Sequence, residues 1–480
     1  MFVRIFCPSE LFVKDYAHKG LYYNKLCGLG NAPFGVKGAK LHMKMQPPPF
    51  KLLLLLTLVF SAACTATGPA HPESTPTAIA IPATSHPNTA TPQAASSPNP
   101  APTIEISTSH PICASVTEIP IRECAALVAF YIHTGGENWI MNNEEWVGKD
   151  NWLETNTPCS WAGIACGDGH VTEVLLGLNG LAGELPPEIG DLTQLTKLDL
   201  TDNQLSHVPA EIGNLAELTE LNLAFNQLNS LPEEIGSLTN LTGLSLAGNH
   251  LSSLPDFGKL TNLTGLNLAE NDLSDVPLGI GHLTKLVGLS LTSNNLSNLP
   301  PEIGELTNLT GLYLDGNNFR SLPPEIGQLV NLNWLWLMDN NLDSLPPEIG
   351  ELASLMELYL EDNHLTSLPP EMGNLINLDW LMLTNNDLPS LPPEIGNLTN
   401  LTVLYLPGNN LSELPPEIGN LTNLTVLSLS ENNLSKLPAE IARLTNLTEL
   451  WLDGNPITSL PPELCAIFSG KVFPDSLCQP

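Results

Sequence analysis

The sequence predicts an α/β solenoid, with a parallel β-sheet on its concave face and short helical or 3-10 turns on the convex side. Three observations carry that reading. The pattern L-x-L-x-x-N-x-L-x-x-L-P-x-E-I-G-x-L recurs with its asparagine at 179, 203, 226, 249, 271, 294, 317, 340, 363, 386, 409, 432 and 455, thirteen units in all. Eight consecutive steps, from Asn271 to Asn455, are 23 residues each, with irregular steps of 24 at the start and 22 across "SSLPDFGKL". Within each unit a two-residue apolar alternation precedes the asparagine and a proline-led segment follows it. A fixed period of this length marks a stacked array in which each unit touches only its neighbours.

Each letter of the unit has a physical task. In "LTVLYLPGN" Leu404 and Leu406 alternate with period two, the signature of a short strand with one face buried. The asparagine that follows faces inward, and its amide must be satisfied. Placed ~4.8 Å from its neighbours in the stack, it can bond backbone groups of adjacent turns. Thirteen equivalent copies argue for this structural role over a catalytic or glycosylated one, and the "NLT" triplets at Asn262, Asn308 and Asn446 are read as repeat consensus. Pro415, Pro416, Glu417 and Ile418 suit one helical or 3-10 turn, with the prolines presetting φ and the acid near the positive end. Gly419 is expected to release the chain. Leu411, Leu414, Ile418, Leu421 and Leu424 fill the space between strand and turn. Burying seven apolar side chains contributes on the order of 10–20 kcal/mol per unit. Ordering the unit's backbone and side chains costs a similar or larger amount. No unit can therefore stand alone.

These letters resemble the leucine-rich repeat family, in its 23-residue "LPxEIGxLxNL" class, over residues 171–460. The resemblance implies a horseshoe. Ahead of the array, the C-x-W-x-G-I-x-C core from Cys159 to Cys166 resembles the N-terminal cap of plant receptor-type leucine-rich repeat ectodomains, with "ALVAFY" as the cap helix. That likeness implies a Cys159–Cys166 disulfide and a Trp161 packed on the first coil, within a cap over 113–170. Trp139, Trp146, Trp152 and Trp161 are read as bulky fillers of this small cap. Residues 461–480 form the other cap, where Cys465 and Cys478 are expected to pair. Cys113 and Cys124 are left to each other by elimination alone, since six cysteines permit about 15 pairings.

The N-terminal part has a different character. Residues 1–42 are odd for a secreted protein and are read as an extension from a mis-assigned start; "GLGNAPFGVKG" within them loosely resembles a kinase phosphate loop but leads into no kinase-like motif. Residues 43–63 read as a signal peptide whose apolar core, in "KLLLLLTLVFSAAC", is too short for a bilayer span. Ser61-Ala62-Ala63-Cys64 resembles a bacterial lipoprotein lipobox, with Ser61 where that family usually has Leu, and implies lipidation at Cys64; the alternative is an ordinary signal peptide cleaved nearby. From there to 112 the chain is Pro, Thr, Ser and Ala, a composition that cannot bury enough to fold and reads as a tether.

The formal net charge is -33, and 48 of the 50 acids but only nine of the 17 Lys and Arg lie beyond Cys64. Such a surface repels phosphate backbones, which excludes nucleic acid as a partner. The acids form no calcium loop and the histidines have no metal-ligand spacing, so no cofactor is expected. No nucleophile elbow or metal motif supports an enzyme.

Tyr405 lies between Leu404 and Leu406 and so points the opposite way, onto the concave face. Its column runs Tyr313, Trp336, Tyr359, Met382, Tyr405, Ser428 and Trp451, with Trp334 and Trp380 two residues earlier on the same side. Every Trp and Tyr of the repeats falls there. Earlier units carry Asp199, Asn222, Ser245, Asn267 and Ser290 instead. Acids border the aromatic half: Asp315, Asp339, Glu357, Glu361, Asp362 and Asp453. An exposed aromatic run of this size marks a binding surface, although rings packing on one another to stiffen the sheet would also account for a column. The expected function is a monomeric, non-enzymatic, exported protein, lipid-anchored to the outer face of a bacterial membrane. It would bind a protein or peptide, basic or amphipathic, on this face; glycan binding is the alternative.

Overall fold

The computed structural model describes residues 110–139 and 151–478, all within the compact unit Ile104–Pro480. The readings of residues 1–63, Cys64, most of the tether and Trp146 lie outside the described residues. Among the described residues no helix is long and apolar enough to cross a membrane.

The chain ahead of the array folds around one helix, Ile121–His133. Pro120 precedes it, and Gly135 at φ 71° turns the chain away after it. Its stretch from Cys124 to Tyr131 is buried throughout, because it lies between the ring cluster and the first 3-10 turn of the array. Phe130, Tyr131, Trp139, Trp152 and Trp161 form that cluster, with neighbouring centroids 5.0–6.4 Å apart. The strand Ile164–Gly167 runs antiparallel to His170–Leu175, which opens the parallel sheet. Buried Glu123 ties the helix to that sheet by accepting the Val171 N–H at 2.7 Å and lying 2.6 Å from His170 Nδ1. Disulfides join Cys113 to Cys124 and Cys159 to Cys166 on this side, and Cys465 to Cys478 at the other end.

One fifteen-stranded sheet runs through the molecule. Each of the thirteen units contributes one parallel strand, held in register by its central residue, so that Leu335 sits beside Leu358 and Leu358 beside Leu381. Behind the sheet every unit with the Pro-Glu-Ile-Gly letters makes a 3-10 turn, such as Pro324–Gln328 or Pro416–Asn420. The leucines between are buried. The 22-residue step leaves the sheet untouched: Gly243–Ser245 pairs with Gly265–Asn267 as every other pair does. The missing residue is taken up on the far side, where buried Phe257 fills the core and the Asp256 carboxylate accepts the Gly258 N–H.

The turn glycine does not release the chain as expected. Gly419 keeps an ordinary negative φ; a Cβ there would lie 2.4 Å from the Glu440 carbonyl oxygen of the next unit. Close approach of neighbouring backbones is what requires glycine. The turn Ala439–Arg443 carries Ala442 instead, and the next unit supplies the helix Pro462–Ile467 rather than another 3-10 turn.

Three ladders of side chains run along the stack. The inward asparagines bond both ways: Asn317 Nδ2 donates to Leu291 O at 2.9 Å and Leu314 O at 3.0 Å, while its Oδ1 accepts the Leu296 N–H at 3.0 Å. A second, exposed asparagine row includes all three "NLT" sites named above. Asn262 Nδ2 donates to Thr239 O, Asn308 to Thr284 O and Asn446 to Thr422 O, at 2.8–2.9 Å. Threonine hydroxyls form the third, as in Thr219 to Thr196 O and Thr242 to Thr219 O.

Candidate functional site

From Lys197–Asp199 to Glu449–Trp451 each strand that the array gives to the fifteen-stranded sheet is three residues long, so its first and third side chains point away from the leucine core. Tyr313, Trp336, Tyr359, Met382, Tyr405, Ser428 and Trp451 are all third residues, laid side by side by the strand register. Trp334 and Trp380 are first residues of theirs.

The column is less open than the alternation implies. Tyr313 meets Trp336 edge-on at 5.0 Å, and Trp336 meets Tyr359 at 5.3 Å. Tyr359 is only 2 % exposed, and Met382 and Trp380 are buried beside it. Strands ~4.8 Å apart cannot carry neighbouring aromatic rings without overlap, so the rings cover one another. Trp334, Trp336, Tyr313 and Tyr405 remain half-buried. Trp451 is covered differently. Phe473, on the strand Val472–Phe473 that extends the sheet, stacks on it at 4.4 Å.

The rings also bind carboxylates of their own strands. Tyr359 OH donates to Glu357 at 3.1 Å, and Trp451 Nε1 donates to Glu449 at 3.0 Å. Sequence reasoning missed Glu449, although the shared letters "ELY" and "ELW" carry the signal. Burial, with Glu357 close by, pushes the Tyr359 phenol far above its ordinary value, and burial also raises Tyr405. The N-terminal half of the face is built otherwise. The side-chain oxygens of Asp199, Asn222 and Asn267 accept the backbone N–H two residues on, at 3.0–3.1 Å. Those units satisfy themselves locally.

The predicted acids divide into two groups. Asp315 and Glu361 stand two positions beyond the ring column on the same face. Asp315 accepts the Thr292 hydroxyl at 3.0 Å, and burial raises its pKa. Glu361 is 8 % exposed and its Oε2 has no hydrogen-bond partner; burial pushes its pKa to about 7. Trp336 Nε1 is likewise buried without a partner. Asp339 and Asp362, by contrast, are exposed turn residues with φ of 51° and 54°. Gly316 and Gly408 occupy the same left-handed position in other units. That turn requirement, which Asp, Asn and Gly meet most readily, explains their place. They line a separate hollow of about 440 Å³ with Asn385, His364, Asp387 and Gly408. Asp453 accepts the Ser430 hydroxyl. Among the described residues no cluster of three or more His, Cys, Asp or Glu is placed to hold a metal ion.

One feature of this region was not anticipated. Val330, Met356 and Ile376, at the edge where the strands begin, are 46 %, 42 % and 56 % exposed. Lining up the units would have revealed them, because most units carry threonine at these places.

A one-sided parallel sheet, a 3-10 turn in most units and an asparagine ladder define a repeat solenoid that presents one sheet face as its broad surface. The family described as "Leucine-rich repeat region" matches residues 175–268, 311–404 and 370–464, more than half of the chain. The chain belongs to the leucine-rich repeat family. It is similar to the Leptospira interrogans LRR protein LIC12759, with 40 % identity and a TM-score of 0.52, over 63 % of this chain and 82 % of that one. The structure of PEPR1-AtPEP1 is 30 % identical with a TM-score of 0.58, over 73 % of this chain and 54 % of that one. Receptor-like kinase TMK2 of Arabidopsis thaliana is 36 % identical over 69 residues, a stretch that spans only 7 % of the kinase.

Proposed function

We propose that this is an exported, non-enzymatic recognition protein that binds a protein or peptide segment across the outward sheet face between Tyr313 and Tyr405. The observation that carries this reading is placement: every Trp and Tyr of the repeats stands on that face, and none is spent in the leucine core. Ring packing accounts for Tyr359, yet it gives no reason for Trp334 or Tyr405 to be aromatic. Tyr405 stands beside Ser428, so the fold accepts serine at this position. The family supports the class, since leucine-rich repeat proteins typically act as binding scaffolds, and PEPR1 was solved together with AtPEP1. The acidic face suits a basic segment, whose approach charge would speed. We place the units in the 23-residue class on their eight equal steps. We also propose a lipid at Cys64 and a tether to 112; the three disulfides fit the oxidising compartment this requires.

Trp334→Ala with Tyr405→Ser tests the site, because both side chains are half-buried and Tyr405→Ser copies Ser428. A partner captured from envelope or extracellular material by the wild-type chain should be lost by this variant, with the melting temperature nearly unchanged. Capture that survives sinks the reading; capture relieved by free sugars rather than by salt identifies a glycan instead. For the anchor, Cys64→Ser is expected to move the protein from the membrane fraction to the soluble one, and retention there overturns the lipid assignment.

A further inference from the structure

The equivalence of the units gives each position its own control, and three successive units depart from the others together. Five residues after the first leucine of each "L-T-N-L" segment the chain enters its strand, as from Leu398 to Val403. The segment's second position is threonine at 193, 239, 261, 284, 307, 399, 422 and 445, and alanine at 216. In the three units that carry Trp334, Tyr359 and Trp380 it is Val330, Ala353 and Ile376. The residue just before the strand is valine at 287 and threonine at 196, 219, 242, 264, 310, 402, 425 and 448, and at each threonine the hydroxyl donates to a carbonyl of the preceding unit. The same three units put Asn333, Met356 and Asp379 in that place. The fold asks for none of these changes, since the other units stack in the same register with threonine at both places, or with a single Ala216 or Val287.

The result is apolar side chains in water next to the aromatic face. Met356 directly precedes the strand Glu357–Tyr359, and its Sδ lies 3.5 Å from Asn333 Nδ2, which precedes the strand of Trp334 and Trp336. The two orphaned polar atoms on the face, Trp336 Nε1 and Glu361 Oε2, fall in the same three units. Exposed apolar groups and unsatisfied polar atoms both cost stability, and natural chains tolerate such costs where function requires them.

We propose that the partner surface continues from the sheet face over the edge where the strands begin, onto Val330, Met356 and Ile376, and that its occupant is a basic protein segment carrying an apolar strip. This rests on the reading of the sheet face given above and adds the edge and the partner's apolar requirement. Charge selects the occupant. No Lys or Arg occurs between Arg320 and Lys436, while Glu357, Glu361 and Asp379 stand in the patch itself. A second copy of this chain would bring like charge to like, and an anionic lipid surface would be repelled in the same way.

The test uses the full chain and three synthetic 18-residue probes: one alternating Leu and Lys pairs, one with Ser for Leu, and one with Glu for Lys. Fluorescence anisotropy reads their binding to wild type, to Val330→Thr/Met356→Thr/Ile376→Thr, and to Trp334→Ala/Tyr405→Ser. Each threonine restores what most other units carry, so folding is preserved. The Leu/Lys probe should bind wild type and lose about tenfold in the triple-threonine variant. The Ser/Lys probe should bind more weakly and be indifferent to the threonines, and the Leu/Glu probe should not bind. A Leu/Lys probe that ignores the threonines but is lost with Trp334 and Tyr405 overturns the edge and leaves the sheet face standing. Loss with the threonines alone overturns the sheet-face reading that the inference extends. Equal binding of the basic and acidic probes overturns the basic occupant.

Discussion

Asn294→Ala is expected to lower stability by about 2–4 kcal/mol, far more than its single small side chain suggests. Asn294 is buried in mid-array, on the inner side of the unit next to the one that carries Tyr313. Its Nδ2 donates to Leu268 O and Leu291 O at 3.0 Å and to Thr292 O at 3.1 Å, and its Oδ1 accepts the Leu273 N–H at 3.1 Å. Alanine leaves Leu273 N–H, in the preceding unit, buried without a partner at roughly 1–3 kcal/mol, and takes from Leu268 O the shorter of its two amide bonds, leaving Asn271 Nδ2 at 3.2 Å. Because units hold only through their neighbours, the damage falls on the interface between two of them. Asn446→Ala is the control. Its one bond, to Thr422 O, is exposed, and water replaces it at a cost of about 1 kcal/mol or less. Urea denaturation followed by circular dichroism separates the two, and equal losses would mean that burial of the inner ladder is not what gives it its strength.

The two ladders also show which features the sequence makes legible. The inner one could be foreseen because Asn409 and its equivalents sit where a period-two strand ends, and an inward amide has few options. The strand itself follows from Leu404 and Leu406, and the 3-10 turn from the letters Pro-Glu-Ile-Gly. What escaped was set between units. Gly419 needs to be glycine because of the Glu440 carbonyl, about 20 residues on in the chain but adjacent in the stack. The exposed row through Asn262, Asn308 and Asn446 reads from the sequence as repeat consensus, but its bonds to the preceding unit's carbonyls do not. On the candidate site, the period placed Tyr313, Trp336 and Tyr359 in one column correctly. It could not tell that rings wider than the strand spacing would bury Tyr359. Nor could it tell that Asp339 and Asp362 answer to a left-handed turn and open on a different hollow. Val330 and Ile376 were legible in principle, as departures from threonine, but they stand outside the alternating positions that drew attention.

Glu361→Gln is expected to raise stability above neutral pH and to leave it unchanged in acid. Burial is the main cause that lifts the Glu361 carboxyl from its ordinary 4.5 to about 7; Asp362 and Asp315 raise it further, and bonds from its own backbone and that of Leu360 oppose the shift. The folded state therefore holds the proton more tightly than the unfolded chain. Wild-type stability should fall as pH rises from about 4.5 to about 7 and stay low beyond. A shift of this size corresponds to about 3 kcal/mol in order of magnitude. Glutamine keeps the shape, carries no charge and removes the dependence due to this group, so the variant's urea midpoint should exceed that of wild type at about pH 8 and match it near pH 4. Burial also raises Asp199 and Asp315, so part of the slope survives the substitution. Midpoints that coincide at both pH values would show that Glu361 is solvated after all. The same carboxylate, ionised and without a partner for Oε2, is the group on this face with most to gain from a cation. A partner that supplies one should therefore bind more tightly at pH 8 than at pH 6 in the wild type, and lose that preference in Glu361→Gln.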